Sequence, residues 1–138
     1  MCNGLCCYAE PHKDGSGPTY FVCNPASGQT RTARILEPQA NWKLIAVNLA
    51  FDPLKSAFYN LIFVTEESRS LGSQKMIRID IYSSETQSRR QVLVSVSSNA
   101  GFKNGVYWDG AIYWYHQQRN SMSYFDIEVG VCVEPQNG

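Results

Sequence analysis

Two aromatic runs flank one tight turn in the segment Val106-Tyr-Trp-Asp-Gly-Ala-Ile-Tyr-Trp114. The central Asp-Gly suits a two-residue type I′ turn, because both central positions of that turn require a positive φ. Such a turn pairs Trp108 with Ala111 and Tyr107 with Ile112 in an antiparallel hairpin. Both faces of the hairpin carry aromatic or apolar side chains, so we expect neighbouring sheets to cover it on both sides.

Three stretches of the chain repeat a common unit, a β-type run that ends in a small polar turn. Aligning them places Asn24, Ser83 and Asp126 at the same turn position. Units of this size, each with several strands, are typical of β-propeller blades. The sequence therefore predicts an all-β fold, an incomplete β-propeller of about three antiparallel four-stranded blades. The three stretches are Tyr20-Phe-Val-Cys-Asn-Pro-Ala-Ser-Gly28, Ile79-Asp-Ile-Tyr-Ser-Ser-Glu-Thr-Gln87 and Met122-Ser-Tyr-Phe-Asp-Ile-Glu-Val-Gly130.

Continuous apolar runs occur at Leu5 to Tyr8, Tyr20 to Cys23 and Leu61 to Val64. Runs of this kind predict strands that are covered on both faces. No segment shows a convincing helical periodicity, which agrees with the all-β prediction.

The charges of the chain cancel, since its 138 residues include 12 basic and 12 acidic side chains. No global field therefore attracts nucleic acid or an anionic membrane, and we expect neither as a partner. The N-terminal residues lack the basic and apolar regions of a signal peptide, and the five cysteines are an odd number. These features favour the cytoplasm or the nucleus, with free buried thiols.

Residues suited to metal binding or catalysis are few. Cys6 and Cys7 are adjacent on a predicted strand and so point to opposite faces, and the chain has no Cys-x-x-Cys. We therefore expect no metal and no cofactor. Nucleophilic catalysis needs a base beside a nucleophile. His116 follows the aromatic hairpin, which leaves a propeller-based hydrolase or oxidoreductase with a site near His116 as the alternative function.

Six blocks of the chain resemble, in the family's order, the plant F-box-associated domain, the β-propeller that follows an F-box in many plant F-box proteins. The resemblance covers nearly the whole chain. It departs from the family's usual pattern at Asp109, where Asn is usual, and at Arg89, where Trp is usual. The blocks are Cys2-Asn-Gly-Leu-Cys-Cys7, Tyr20-Phe-Val-Cys-Asn-Pro25, Leu49-Ala-Phe-Asp-Pro53, Ile81-Tyr-Ser-Ser-Glu-Thr86, Gly105-Val-Tyr-Trp-Asp-Gly-Ala-Ile-Tyr-Trp114 and Tyr124-Phe-Asp126.

The resemblance implies a non-catalytic protein-binding module that captures the protein substrate of an SCF-type E3 ubiquitin ligase. The chain has no helical F-box segment, so we expect the Skp adaptor as a partner only if an F-box lies upstream. Measured against a whole ring of typical blade number, residues 1–138 look like the N-terminal half of the domain. A half ring exposes the outer faces of its terminal blades, so we expect the isolated chain to dimerise or aggregate.

Polar residues that flank the predicted strands are the candidates for protein recognition, because loops carry recognition in propellers. They can form charge-assisted or neutral hydrogen bonds with a partner. The candidates are Arg69 and Ser70 in one loop, Arg89 and Arg90 after a turn, and His116, Arg119 and Asn120 beyond the aromatic hairpin.

Overall fold

The computed structural model describes residues 2–11, 18–34, 41–68, 72–116 and 120–134. All regular elements in these ranges are β-strands, and no helix there is long and apolar enough to cross a membrane. The strands are β1 (Cys6–Glu10), β2 (Thr19–Asn24), β3 (Gln29–Arg34), β4 (Trp42–Ala50), β5 (Asn60–Glu67), β6 (Gln74–Ser83), β7 (Ser88–Ser97), β8 (Val106–Trp108), β9 (Ala111–His116), β10 (Ser121–Asp126) and β11 (Val131–Val133).

Consecutive strands pair in three antiparallel sheets, with the orders β1-β2-β3, β4-β5-β6-β7 and β8-β9-β10-β11. This arrangement confirms the predicted all-β fold with three sheets. The first sheet has three strands among the described residues, one fewer than predicted. The residues ahead of β1 instead form a tight turn, which is closed by backbone hydrogen bonds of 2.8 and 3.0 Å between Cys2 and Leu5.

The aromatic hairpin has the predicted register. β8 pairs with β9 through Trp108 and Ala111 and through Tyr107 and Ile112. The backbone φ is 45° at Asp109 and 86° at the glycine that follows. Both angles are positive, as a type I′ turn requires, so the local sequence sets this register.

The three repeat units end in equivalent turns. Asn24, Ser83 and Asp126 are each the last paired residue of a strand, and each is followed by four residues before the next strand begins. In all three turns the fourth residue has a positive φ. These residues are Gly28 at 74°, Gln87 at 53° and Gly130 at 79°.

Alternation along β5 divides the core into two apolar clusters. Leu61 and Phe63 pack between the first and second sheets, and the ring of Phe63 meets that of Tyr20 edge-on at 5.1 Å. Ile62 and Val64 pack on the opposite face, between the second and third sheets. The second sheet is thus covered on both faces, and the prediction made for Leu61 to Val64 is confirmed.

The third sheet buries one face and exposes the other. Ile112 and Trp114 pack against the second sheet, whereas Val106, Trp108 and Tyr115 lie in solvent. The expectation that sheets cover the aromatic hairpin on both sides is therefore wrong for one face. A period-two pattern shows which side chains share a face, but it does not show whether another sheet lies against that face.

The first sheet likewise has one covered face. Leu5 and Val22 are buried against the second sheet, while Tyr8 lies on the opposite, solvent-facing side. Phe21 and Cys23 share the side of Tyr8. The prediction that Leu5 to Tyr8 and Tyr20 to Cys23 are covered on both faces is therefore wrong, for the same reason as in the third sheet.

Candidate protein-binding surface

The strand connections cluster at two opposite ends of the stacked sheets. One end, here called the turn end, carries residues 25–28, 51–59, 84–87, 109–110 and 127–130. The other, here called the His116 end, carries the described residues of the connections after β5, β7 and β9. Connections at the end of a stacked-sheet scaffold are free to vary without disturbing the core, so both ends are candidate recognition surfaces.

A groove of about 470 Å³ opens at the turn end between the second and third sheets. Its apolar lining comprises Ile81, Ile127 and the ring of Tyr107. Its walls are hydroxyl-rich and carry one charge of each sign, which suits a partner that offers hydrogen-bonding groups as well as a small apolar side chain. The polar lining residues are Asn60, Ser83, Thr86, Ser88, Arg90 and Glu128.

Arg90 lines this groove and joins the second sheet to the third. Its Nη1 donates to the carbonyl of Glu128 at 3.0 Å, and its Nη2 donates to the carbonyl of Ile127. Arg89, the next residue along β7, alternates to the opposite side of the sheet and is exposed. Arg90 therefore has a structural role in addition to any part it takes in recognition.

A charged pair also lies at the turn end. Lys55, in the connection between β4 and β5, forms an ion pair with Asp109 of the hairpin turn. The hydrogen bond to Asp109 and its negative charge raise the pKa of Lys55. Through this ion pair, Asp109 joins the hairpin turn of the third sheet to the second sheet. Asp52 and Asp126 cap their turns, accepting from Leu54 and Val129 at 3.0 and 2.9 Å.

The His116 end holds a cavity of about 300 Å³. Lys75 is buried there, donates to the carbonyl of Ala100 at 2.7 Å and lies 3.4 Å from a carboxylate oxygen of Glu66. Its ammonium group also lies 5.9 Å from the ring centroid of Phe102. A buried ammonium with these partners is fully compensated, so it holds the connection after β7 in place.

His116 lines the same cavity and contacts a serine. Its Nε2 lies 3.0 Å from Oγ of Ser123. Ser123 is only 1% exposed, so a substrate has no path to its hydroxyl. A nucleophile must reach the reacting carbon, and a sealed hydroxyl does not. The pair therefore joins β9 to β10, and the geometry gives no support to the alternative of an enzyme site near His116.

The residues predicted for recognition are not brought together. Arg89 and Arg90 begin β7 at the turn end, whereas His116 and Asn120 lie at the opposite end. Asn120 accepts a hydrogen bond of 2.7 Å from the hydroxyl of Tyr115 through its Oδ1. Arg69, Ser70 and Arg119 lie outside the described residues, so the recognition role of the whole set stays a prediction.

The cysteines form no bond with one another. All five are free, and in the described part of the chain no three His, Cys, Asp or Glu side chains lie close enough together to hold a metal ion. Burial raises the pKa of Cys7, and it raises the pKa of Cys132 to about 11. All five thiols are half-buried rather than buried as predicted. Protonated thiols in such positions pack as small apolar groups.

Comparison with known proteins identifies the fold family. The sequence matches the F-box associated beta propeller domain over residues 1–130. The chain belongs to that family. The match confirms the resemblance drawn from the sequence blocks, and it spans all three sheets up to the turn that precedes β11.

The F-box associated domain also matches a curated relative, "F-box protein At5g07610" from Arabidopsis thaliana. The two are 31% identical over an alignment of 115 residues, and the match covers 78% of this chain and 26% of the relative. The chain thus spans about a quarter of that protein's length. No solved structure matches the chain.

Two residues of the F-box associated domain escaped the sequence analysis, Lys75 and Ser123. Ser123 is the diagonal neighbour of His116 across the β9–β10 pair, in which His116 opposes Ser121. A register drawn for that hairpin could have found the contact, because diagonal neighbours on one face lie within reach of long side chains. Lys75 gave no such signal, because its partners, Glu66 on one side and Ala100 and Phe102 on the other, come from two stretches that are distant from it in the sequence.

Proposed function

We propose that this F-box associated domain is a non-catalytic protein-binding module, and that it captures the substrate of an SCF-type ubiquitin ligase. The family match over residues 1–130 is the observation that carries the proposal. The turn-end groove supports it, because apolar, hydroxyl-bearing and charged side chains line it together. The Skp adaptor becomes a partner if an F-box precedes the domain in the expressed protein.

Protein capture through the turn end is tested with a matched pair of variants. Ser88→Arg places a long cation in the groove, and Ser95→Arg places the same side chain on the same strand, outside the groove. Tagged wild type and both variants are used as bait in plant extract treated with a proteasome inhibitor. We expect a stoichiometric protein partner with the wild type and Ser95→Arg, and its loss with Ser88→Arg.

Two results would count against capture at this end. Equal recovery of the partner with both variants would mean that the binding surface lies outside the groove. Reproducible absence of any partner with the wild type would contradict the proposed binding function. A chemical activity that disappears in His116→Ala, with the circular dichroism spectrum retained, would restore the enzymatic alternative.

The ligase part of the proposal needs a separate readout, the half-life of the captured protein. We expect that half-life to lengthen in plants that lack the receptor, because a ligase substrate is degraded only when it is recruited. An unchanged half-life would leave a binding module without a role in ubiquitination. We place the protein in the cytoplasm or nucleus, consistent with its five free cysteines, and imaging of a fluorescent fusion tests this.

A further inference from the structure

The third sheet leaves a continuous apolar face in solvent, here called the third open face. Trp108 is 66% exposed, Val106 63%, Tyr115 55% and Met122 51%. The pairing of the strands places these side chains on one side of the sheet, together with Tyr113, Tyr124, Val131 and Val133. A contiguous exposed patch of this kind marks an interaction site.

The third open face is rich in aromatic side chains and almost uncharged. The ring of Tyr113 lies 5.5 Å from that of Tyr124 and 6.2 Å from that of Trp108, so the aromatic side chains support one another. Asp126 is the one charged side chain among the described residues of this face, and its Oδ1 accepts a hydrogen bond from the backbone of Val129. Ordered aromatic side chains bind with little loss of conformational entropy.

The first sheet carries the other open face, here called the first open face. Its described apolar side chains are Cys6, Tyr8, Phe21 and Cys23, which the register of β1 and β2 places on one side. Tyr8 is 46% exposed and stacks on Phe21, with ring centroids 5.1 Å apart and an interplanar angle of 13°. This face has fewer described apolar side chains than the third open face, and it too lacks a covering sheet among the described residues.

Within the chain, the three sheets stack face to face in sequence order. The first sheet buries its inner face against the second, and the second buries its other face against the third. If this stacking continued beyond the third sheet, the next sheet would cover the third open face with the side that corresponds to the first open face. A second copy of the 138-residue chain supplies such a sheet, and that sheet presents the apolar surface of Tyr8 and Phe21.

We propose that two copies of the chain close a ring of six sheets, with the first open face of each copy covering the third open face of the other. A head-to-tail contact closes when repeating it returns to the start, and six lies within the four to eight blades of closed propellers. Each copy then buries two faces. Trp108 and Tyr115 alone contribute roughly 200 Å² toward the ~800 Å² per partner of a stable interface.

The first test is the mass of the 138-residue chain in solution, measured by size-exclusion chromatography with light scattering. We expect a single species at twice the 15.5 kDa of one chain. Tyr115→Lys on the third open face and Tyr8→Lys on the first should each raise the dimer dissociation constant by at least about tenfold, the loss of one modest hot spot. Leu93→Lys is the matched control, since Leu93 is exposed on β7 and belongs to neither face.

Mixing the two face variants distinguishes a head-to-tail ring from a symmetric pairing. Tyr115→Lys keeps an intact first open face and Tyr8→Lys keeps an intact third open face. The mixture therefore regains one good contact, and we expect dimers that contain one copy of each variant. Met122→Lys, which replaces a neighbour of Tyr115, serves as a second third-face variant, and circular dichroism checks that every variant keeps its β spectrum.

Several results would overturn the ring. A monodisperse wild-type monomer would show that neither face binds a copy of the chain. Sensitivity to Tyr115→Lys without sensitivity to Tyr8→Lys, and without rescue on mixing, would mean that two third open faces pair symmetrically. Oligomers that grow with concentration would mean that the head-to-tail contact does not close.

Discussion

At the scale of single residues, the three equivalent turns differ in one instructive respect. Gly28 and Gly130 occupy the left-handed position, where glycine has no steric penalty, but Gln87 occupies it in the second sheet at a φ of 53°. A side chain in this region costs about 1–2 kcal/mol per residue. The repeat alignment predicted where the turns begin, yet this strain became visible only when the backbone angles were known.

We expect Gln87→Gly to stabilise the protein by about 0.5–1 kcal/mol, because the relief of strain exceeds the added freedom of the unfolded chain. The measurement is the midpoint of urea unfolding. Gly130→Ala is the reciprocal control and should lower the midpoint, since its Cβ would also lie 3.3 Å from Cγ2 of Val92. A lower midpoint for Gln87→Gly would contradict the strain assigned to this turn.

Gly105 lets two polar side chains approach the backbone ahead of β8. A Cβ at this position would lie 2.5 Å from Nδ2 of Asn48 and 2.6 Å from Nε1 of Trp114. We expect Gly105→Ala to lower the free energy of unfolding by about 1–3 kcal/mol through overpacking. Gly101→Ala is the matched control, because its nearest neighbour, the His116 ring, is 3.8 Å away. Equal midpoints in thermal unfolding for the two variants would refute the close approach.

The thiol of Cys132 makes the stability of the protein depend on pH in the alkaline range. Burial raises its pKa from 9.0 to about 11. Below about pH 9 the thiol is protonated in both states, so its packing contributes in full. Between about pH 9 and 11 only the unfolded chain releases the proton, and stability therefore falls as pH rises. We expect Cys132→Ala to flatten this decline in urea unfolding series, while Cys6→Ala, on the first open face, retains it.

At the scale of elements, the sequence predicted pairing better than packing. Asp109-Gly110 defined the hairpin register because a two-residue turn leaves one way to pair its strands. The apolar alternation of the same hairpin predicted cover on both faces, which is wrong for one face, because such a pattern is the same with or without a neighbouring sheet. The contacts of Arg90 and of Lys75 were also missed, since both join elements that are far apart in the sequence.

Arg90 is the clearest link between elements that a substitution can probe. Arg90→Lys removes the two-pronged donation to the carbonyls of Ile127 and Glu128, because an ammonium group lacks the planar fork of a guanidinium. We expect the free energy of unfolding to fall by about 0.5–1.5 kcal/mol. Arg89→Lys, at the exposed neighbouring position, should change it by less than about 0.5 kcal/mol. A larger loss for Arg89→Lys would reverse these assignments.

At the scale of the whole molecule, the sequence predicted the number of sheets and their antiparallel order, because each blade repeats a recognisable turn. It also predicted exposed outer faces for the terminal blades, and the two open faces lie there. The binding surface could not be derived in the same way. Its candidates were chosen strand by strand, and only the stacking of the sheets revealed that they divide between two ends.

The position of the second sheet between two others has a consequence for how the molecule opens. Its central strands, β5 and β6, hydrogen-bond on both edges and are covered on both faces, so their amide protons exchange with solvent only when the whole domain unfolds. The outer sheets can fray while this sheet holds. In deuterium exchange we expect the peptides of β5 and β6 to label last, after those of β1 and β11. Early labelling of β5 would mean that the three sheets unfold independently.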